Sequence, residues 1–348
     1  MLNIIKNLLF KLSRSSSEYF RQADYIWLIH PLTLKDVLSR YVFLKFLPKS
    51  IVLKFLSLMP PMILAPITGL KSTDGRELHG YLVGCFILPE QIRADTALVR
   101  KKVYSVAKIA EKLGANILGL GGIIVVDSAF EKRTKEDLNV ALANGTATAA
   151  VVMSKRIDKI LKGVDKRYDE ISLAIVNATS LKGRLLSVYW SNYKFKEILL
   201  VGKTPDNLAE LKKRVRRHDV KTTTQIRDIK NYDLVIVAPS YARLDFLPDY
   251  FRDDMIIYDI NDPHYDFTNI VERFPSIRVY TNGLINTEGI NYNYDLGVPS
   301  YSSHVCLAET FLLARSGTYD RPFFNGVGLD EVAHIKKIFT NSGFFLID

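Results

Sequence analysis

Three observations in the sequence predict an α/β protein of two domains, the C-terminal one a doubly wound parallel sheet. The chain has 348 residues and 39.5 kDa, too long for one small module and suited to two α/β domains. Its composition, 48% hydrophobic and 24% charged, supplies enough apolar material for real cores and excludes long disorder or a disulfide-stapled scaffold. In the second half, five short apolar runs recur: SLAIVNA (172–178), EILLVG (197–202), DLVIVA (233–238), MIIYDI (255–260) and RVYTNG (278–283). Helical stretches such as Asp206 to Arg217 lie between most of them. Short β-rich runs alternating with helices build a parallel sheet covered on both faces, the layout of a Rossmann-like dinucleotide-binding domain.

The elements follow in order. Met1 to Leu12 is apolar and carries Lys6 and Lys11, which suits an amphipathic helix at a membrane surface or packed on the domain. Residues 13–18, SRSSSE, read as a linker. Residues 33–58 read as two basic amphipathic helices separated by Pro48, suited either to lipid or an acyl chain or to packing on the core. Pro60, Pro61 and Pro66 interrupt the apolar stretch from Phe55 to Leu70, so nothing there spans a membrane. Asp74-Gly75 between apolar runs signals a hairpin. Residues 89–113 read as one helix opened by Pro89 and stopped by Gly114. A buried strand follows with a turn containing Gly119, Gly121 and Gly122, then a helix over 134–142, a loop over Asn144 to Thr148, and a helix from Ala149 to Leu161. A final helix covers Leu329 to Phe339 and is expected to pack back on the first domain. The resulting organisation is amphipathic helices in 1–60, an α/β substrate domain in 61–165, the Rossmann-like domain in 166–318, and a terminal segment in 319–348.

Lys+Arg 47 against Asp+Glu 37 gives a net charge of +10, which favours acidic partners. Cys85 and Cys306 are far apart, with no CxxC, which points to a reduced, cytoplasmic chain and excludes a zinc cluster. The histidines show no metal-ligand spacing, so no metal is expected. The basic run Lys212 to Arg217 lacks interleaved aromatics and reads as a solvated helix face, so nucleic acid is not an expected partner.

Three segments carry chemistry. The first Rossmann strand runs into Asn177-Ala178-Thr179-Ser180-Leu181-Lys182-Gly183, where a nucleotide-binding turn places glycines and closes backbone N–H groups on a pyrophosphate. Only Gly183 is a glycine; Asn177 tolerates left-handed geometry, and Thr179, Ser180 and Lys182 can donate to phosphate. The residues Asn177, Thr179, Ser180, Leu181, Lys182 and Gly183 are therefore candidate cofactor contacts, and a domain of this shape that has lost its nucleotide is the alternative. After the second strand, Lys203 and Thr204 stand where an NAD site usually has an acid; a basic residue suits the 2′-phosphate of NADP. Finally, Pro299 and the serines that follow signal a helix start; with Ser302 or Ser303 as N-cap, Cys306 lies in the first turn, where helix dipole and free N–H groups favour a thiolate. A small buried hydrophobe is the other reading of that cysteine.

These residues resemble the long-chain acyl-[acyl-carrier-protein] reductase family and its wider bacterial relatives labelled predicted amino acid dehydrogenases. The matching segments are Gly80 to Pro89, Leu120-Gly121-Gly122, Thr146-Ala147-Thr148-Ala149, Phe195 to Val201, Asp259 with Pro263, and Pro299-Ser300 followed at fixed spacing by Cys306-Leu307-Ala308-Glu309. The resemblance implies a catalytic Cys306 that takes the acyl group from a thioester, NADPH on the C-terminal domain, and substrate contacts from Gly121, Gly122, Thr146 and Thr148. It implies a fatty aldehyde product, an acyl carrier protein or acyl-CoA as partner, and membrane-surface contact through the N-terminal helices. Two of the family's three turn glycines are replaced, at Asn177 and Ser180, and Ala147 stands for a histidine. Two other readings stay open: a dehydrogenase of a small amino or hydroxy acid, with Cys306 structural, and an acyl-binding protein without redox chemistry.

Overall fold

The computed structural model describes residues 21–121, 124, 126–215, 217–239, 244–261, 264–318 and 328–347. The expected first helix and linker lie outside these residues, as do Gly122 and Pro263. Contacts divide the chain into two compact units. The first holds the described residues of Met1–Gly145, Leu284–Asn325 and Lys337–Ile347; the second holds those of Thr146–Gly283 and Gly326–Lys336. The divisions fall at Gly145 and Gly283 rather than at 165 and 318, because the chain re-enters the first unit after Gly283.

The first unit is built on a five-stranded sheet of β1 (Tyr25–Ile29), β2 (Met62–Lys71), β3 (Glu77–Gly84), β4 (Ile117–Leu120) and β5 (Ala141–Ala143), in the order β2-β3-β1-β4-β5. β2 and β3 form the antiparallel hairpin signalled by Asp74-Gly75, with Gly75 at φ 90; the other pairings are parallel. The single helix expected over 89–113 is two, Pro89–Ala94 and Thr96–Lys112. Asp95 breaks it, because its carboxylate accepts from the Leu98 N–H and so starts a new helix. The helix expected over 134–142 lies earlier, at Ser128–Leu138, capped by Asp127 and ended by left-handed Asn139. Ala141–Ala143 is thereby released to pair with β4.

The second unit is a six-stranded, all-parallel sheet of β6 (Ser172–Val176), β7 (Glu197–Val201), β8 (Val220–Thr223), β9 (Leu234–Val237), β10 (Ile256–Asp259) and β11 (Arg278–Thr281). Its order is β11-β10-β9-β6-β7-β8. Counted within the unit this is 6-5-4-1-2-3, the strand order of a dinucleotide-binding Rossmann domain, reversing direction between β6 and β9. Ala174, Val176, Leu199, Val201, Val235, Val237 and Ile257 are buried in its core. The central strands β6, β7, β9 and β10 are mostly apolar because both faces are covered.

Asp233 ties the two central strands together at their N-terminal ends. Its carboxylate accepts from the Ser172 N–H (2.9 Å), the Ser172 hydroxyl (2.7 Å) and Arg252 (2.7 Å). Partial burial pushes its pKa up, but the Ser172 and Arg252 hydrogen bonds outweigh burial and hold the carboxyl below its ordinary value. A depressed folded pKa contributes stability that is complete above the ordinary value of about 4 and is lost as pH falls through the folded one. Asp233→Asn is expected to lower the urea midpoint at neutral pH and to flatten the loss of stability in acid. An acid limb as steep as the parent's would contradict this.

The first unit closes with a small antiparallel sheet of β12 (Leu284–Asn286), β13 (Ser302–His304) and β14 (Phe345–Ile347), with β12 central. No helix among the described residues is long and apolar enough to cross a membrane.

Candidate functional site

The turn after β6 has the backbone of a nucleotide-binding turn despite its missing glycines. Asn177 takes φ 57, the left-handed conformation that the first glycine of such turns normally supplies. Its side chain donates to the Ala238 carbonyl (3.0 Å), joining the ends of β6 and β9 where the strand order reverses. Ser180 is the N-cap of the helix Leu181–Trp190, and its hydroxyl accepts from the Gly183 N–H (3.1 Å). The N–H groups of Leu181 and Lys182 open the helix and have no intrahelical acceptor. At Gly183 a Cβ would lie 2.1 Å from the Asn177 carbonyl oxygen, so only glycine permits this approach of helix to strand.

The end of β7 comes to the same place. The Ala178 N–H donates to the Val201 carbonyl (2.9 Å), and a Cβ on Gly202 would lie 3.0 Å from the Thr179 side chain. Lys203 and Thr204 follow, both exposed, with Thr204 as the backbone cap of the helix Pro205–Arg214. The second unit therefore gathers all eight expected cofactor residues at the C-terminal ends of β6 and β7. In dinucleotide-binding domains these ends receive the pyrophosphate and the adenosine ribose. A dinucleotide fits the cradle: left-handed Asn177 and Gly183 set the turn, Leu181 and Lys182 offer N–H donors to phosphate, and Lys203 offers a cation.

The expected substrate residues are distributed differently. Gly121 is buried in the first unit, where a Cβ would lie 2.7 Å from the Leu28 carbonyl oxygen. Thr146 and Thr148 are not in a loop. They lie buried in the first turn of the second unit's helix Thr146–Gly163.

Cys306 is in the first unit, half-buried, and is the second residue of the helix Val305–Ser316. The N-cap is His304, not Ser302 or Ser303, because those serines are paired as strand β13 and bond elsewhere. The Ser302 hydroxyl donates to the Pro299 carbonyl (2.6 Å). The Ser303 hydroxyl joins Tyr292 and Thr287 in a buried hydroxyl cluster. Burial pushes the Tyr292 hydroxyl up, the bonds to Ser303 and Thr287 pull it back, and neighbouring Cys306 adds to the rise. On its other side, Cys306 meets Gly145, where φ is 76 and a Cβ would lie 2.4 Å from the Cys306 Cα. Buried Glu309 holds this contact by accepting from the Gly145 N–H (2.8 Å). Glu309→Ala removes that acceptor from a buried N–H and is expected to cost about 1–3 kcal/mol in urea unfolding, with Glu309→Gln costing less. Equal unfolding midpoints for parent and Glu309→Ala would refute the clamp. Glu309 follows Cys306 in the sequence segment quoted above, but its partner, 164 positions earlier, gave no signal.

Cys85 is buried in the first unit, where burial pushes its thiol up to about 12 and neighbouring Lys102 offsets this in part, as its apolar run implies. A cavity of about 290 Å³ opens in the loop 290–301 of the same unit. Tyr292, Tyr294, Asp295, Ser300 and Tyr301 line it. No group of three metal-ligating side chains occurs among the described residues. Within the basic run, Arg214 pairs with Glu210 and Arg217 with Asp219.

No protein-family model matches the chain, and no curated protein matches it in sequence. Solved structures similar to it include quinate dehydrogenase from Corynebacterium glutamicum in complex with NAD, at 10% identity and TM-score 0.41, covering 92% of this chain and 99% of that one. A chorismate mutase/shikimate 5-dehydrogenase fusion protein from Clostridium acetobutylicum is 10% identical with TM-score 0.39, covering 92% and 98%. L-tryptophan dehydrogenase from Nostoc punctiforme is 10% identical with TM-score 0.41, covering 91% and 80%. These findings correct the resemblance to long-chain acyl-[acyl-carrier-protein] reductases and the thioester reduction it implied. The three solved structures named are a quinate, a shikimate 5- and a tryptophan dehydrogenase, and at this identity the likeness is one of fold.

Proposed function

We propose that the chain is a nicotinamide-dinucleotide-dependent dehydrogenase of a small amino or hydroxy acid, with a preference for NADP(H). The observation that carries this reading is the turn Asn177 to Gly183 at the strand-order reversal of an all-parallel 6-5-4-1-2-3 sheet. When bound, the dinucleotide supplies the hydride acceptor. The N–H groups of Leu181 and Lys182 hold its pyrophosphate, Asn177 keeps the turn open by bonding to Ala238, and Lys203 pairs with the 2′-phosphate. The cavity of the first unit, about 290 Å³, favours a small substrate: among the apolar walls of Ile290, Leu296, Val298 and Pro299 it offers tyrosine and serine hydroxyls and the Asp295 carboxylate, which suits an ammonium group.

The test is oxidation of a panel of amino acids and hydroxy acids with NADP⁺ and NAD⁺, followed by the absorbance of the reduced nicotinamide. Turnover with a member of the panel supports the reading. A protein that binds the dinucleotide but oxidises no member would overturn the substrate class while leaving the cofactor site intact.

A further inference from the structure

The segment from Leu32 to Leu58 presents apolar side chains on two faces. Inward, Val37, Leu44, Val52, Leu56 and Met59 pack with Phe86 and Leu88 in a buried cluster. Buried Lys102 fixes the end of the helix Lys49–Leu58 by donating to the carbonyls of Leu56 (3.0 Å) and Met59. Outward, Val42, Phe43, Phe46, Leu47, Ile51 and Leu58 are exposed, Phe46 to 86%. Ile51 and Leu58 stand two turns apart on one side of the helix, with Phe55 between them packing edge-on against Phe43 at 6.2 Å. Elsewhere among the described residues, exposed large apolar side chains are scattered: Leu247, Tyr301, Leu329 and Phe345. An apolar patch of this density marks an interaction surface.

Charge selects the partner. The segment carries Lys35, Arg40, Lys45, Lys49 and Lys54 against Asp36 alone. Lys49 pairs with Glu90 (3.0 Å), whereas Lys45 and Lys54 have no ion-pair partner among the described residues and stand beside the exposed phenylalanines and Ile51. A second copy meeting this face about a two-fold axis would set these lysines against themselves. Residues 1–20 folded over it would add Lys6, Lys11 and Arg14 against one acid, Glu18. A bilayer with anionic headgroups neutralises the lysines and takes the aromatic and aliphatic side chains into its interface. We infer that the outer face of Leu32 to Leu58 docks on an anionic lipid surface, with Phe43, Phe46, Ile51 and Leu58 inserted and Lys45 and Lys54 at headgroup level.

The test is flotation of the full chain with vesicles of phosphatidylcholine containing phosphatidylglycerol, and with phosphatidylcholine alone. The chain is expected to float with the anionic vesicles, and less so as salt rises. Phe43→Ser with Phe46→Ser should weaken binding at least about tenfold. Lys45→Glu with Lys54→Glu should do the same on anionic vesicles, since each lysine near such a surface contributes about fivefold. Lys45→Glu with Lys54→Glu should keep the parent's unfolding midpoint, because both lysines are exposed, and Phe43→Ser with Phe46→Ser should stay folded with a small loss from the Phe43 ring contacts, because the inner face holds the fold. A parent that floats with neither vesicle overturns the inference, as does binding unchanged in both folded variants, which would place the contact elsewhere. A dimer in solution that Phe46→Ser dissociates would assign the face to a second copy instead.

Discussion

Lys203→Glu is expected to reverse the cofactor preference of the second unit. Lys203 stands exposed at the C-terminal end of β7, with no ion-pair partner among the described residues, beside the turn that would carry the pyrophosphate. A lysine there meets the 2′-phosphate of NADP, whereas a carboxylate repels that phosphate and accepts from the ribose hydroxyls of NAD. A charge-assisted bond of this kind contributes about 1.5–3 kcal/mol, so NADPH affinity should fall about ten- to a hundredfold while NADH affinity rises. Equal affinities of the parent for the two cofactors would remove the role given to Lys203.

Gly183→Ala is expected to damage both fold and binding. The added Cβ would lie 2.1 Å from the Asn177 carbonyl oxygen and 2.9 Å from the Ala178 carbonyl carbon and oxygen. These are backbone atoms that cannot rotate away, so the helix Leu181–Trp190 must move from β6 or the turn must open. Overpacking of this kind costs about 1–3 kcal/mol. Displacing the helix N-terminus should also weaken dinucleotide binding at least about tenfold, because the phosphate donors sit on it. Gly163→Ala is the control: nothing lies within 4 Å of its added Cβ, and alanine favours helix. Gly183→Ala matching the control in unfolding midpoint and in NADPH affinity would refute the close approach.

The second unit was the more legible in sequence. Its central strands are buried on both faces and so read as apolar runs, and all five strands named from the sequence are present. The sixth, VKTT, carries no apolar run, because it is an edge strand with Lys221 and Thr222 exposed. In the first unit, β1 holds the centre of the sheet, yet its YIWLI is a single five-residue run with no glycine-rich turn or repeating pattern beside it to mark it as a strand. The small sheet of β12, β13 and β14 was invisible because its three-residue strands pair across long separations. The turn after β6 lacks glycine at Asn177 and Ser180. The structure shows the left-handed φ kept at Asn177 and the helix capped by Ser180, both conformational facts that a glycine pattern does not encode. The Gly145–Glu309 contact beside Cys306 could not be assembled from spacing, since its members lie 164 positions apart, and the Thr287–Tyr292–Ser303 cluster forms only once the loop between β12 and β13 folds back. The thioester reduction expected at Cys306 came with the family resemblance, which the solved structures similar to the chain do not support.

On the function proposed above, the turn Asn177 to Gly183 binds a nicotinamide dinucleotide without its usual glycines. Titration of the full chain with NADPH, followed by the fluorescence of the reduced nicotinamide, tests it most directly. Binding is expected to saturate at one dinucleotide per chain, to be tighter for NADPH than for NADH, and to be weakened by Gly183→Ala. No binding of either cofactor by the folded parent protein would contradict it.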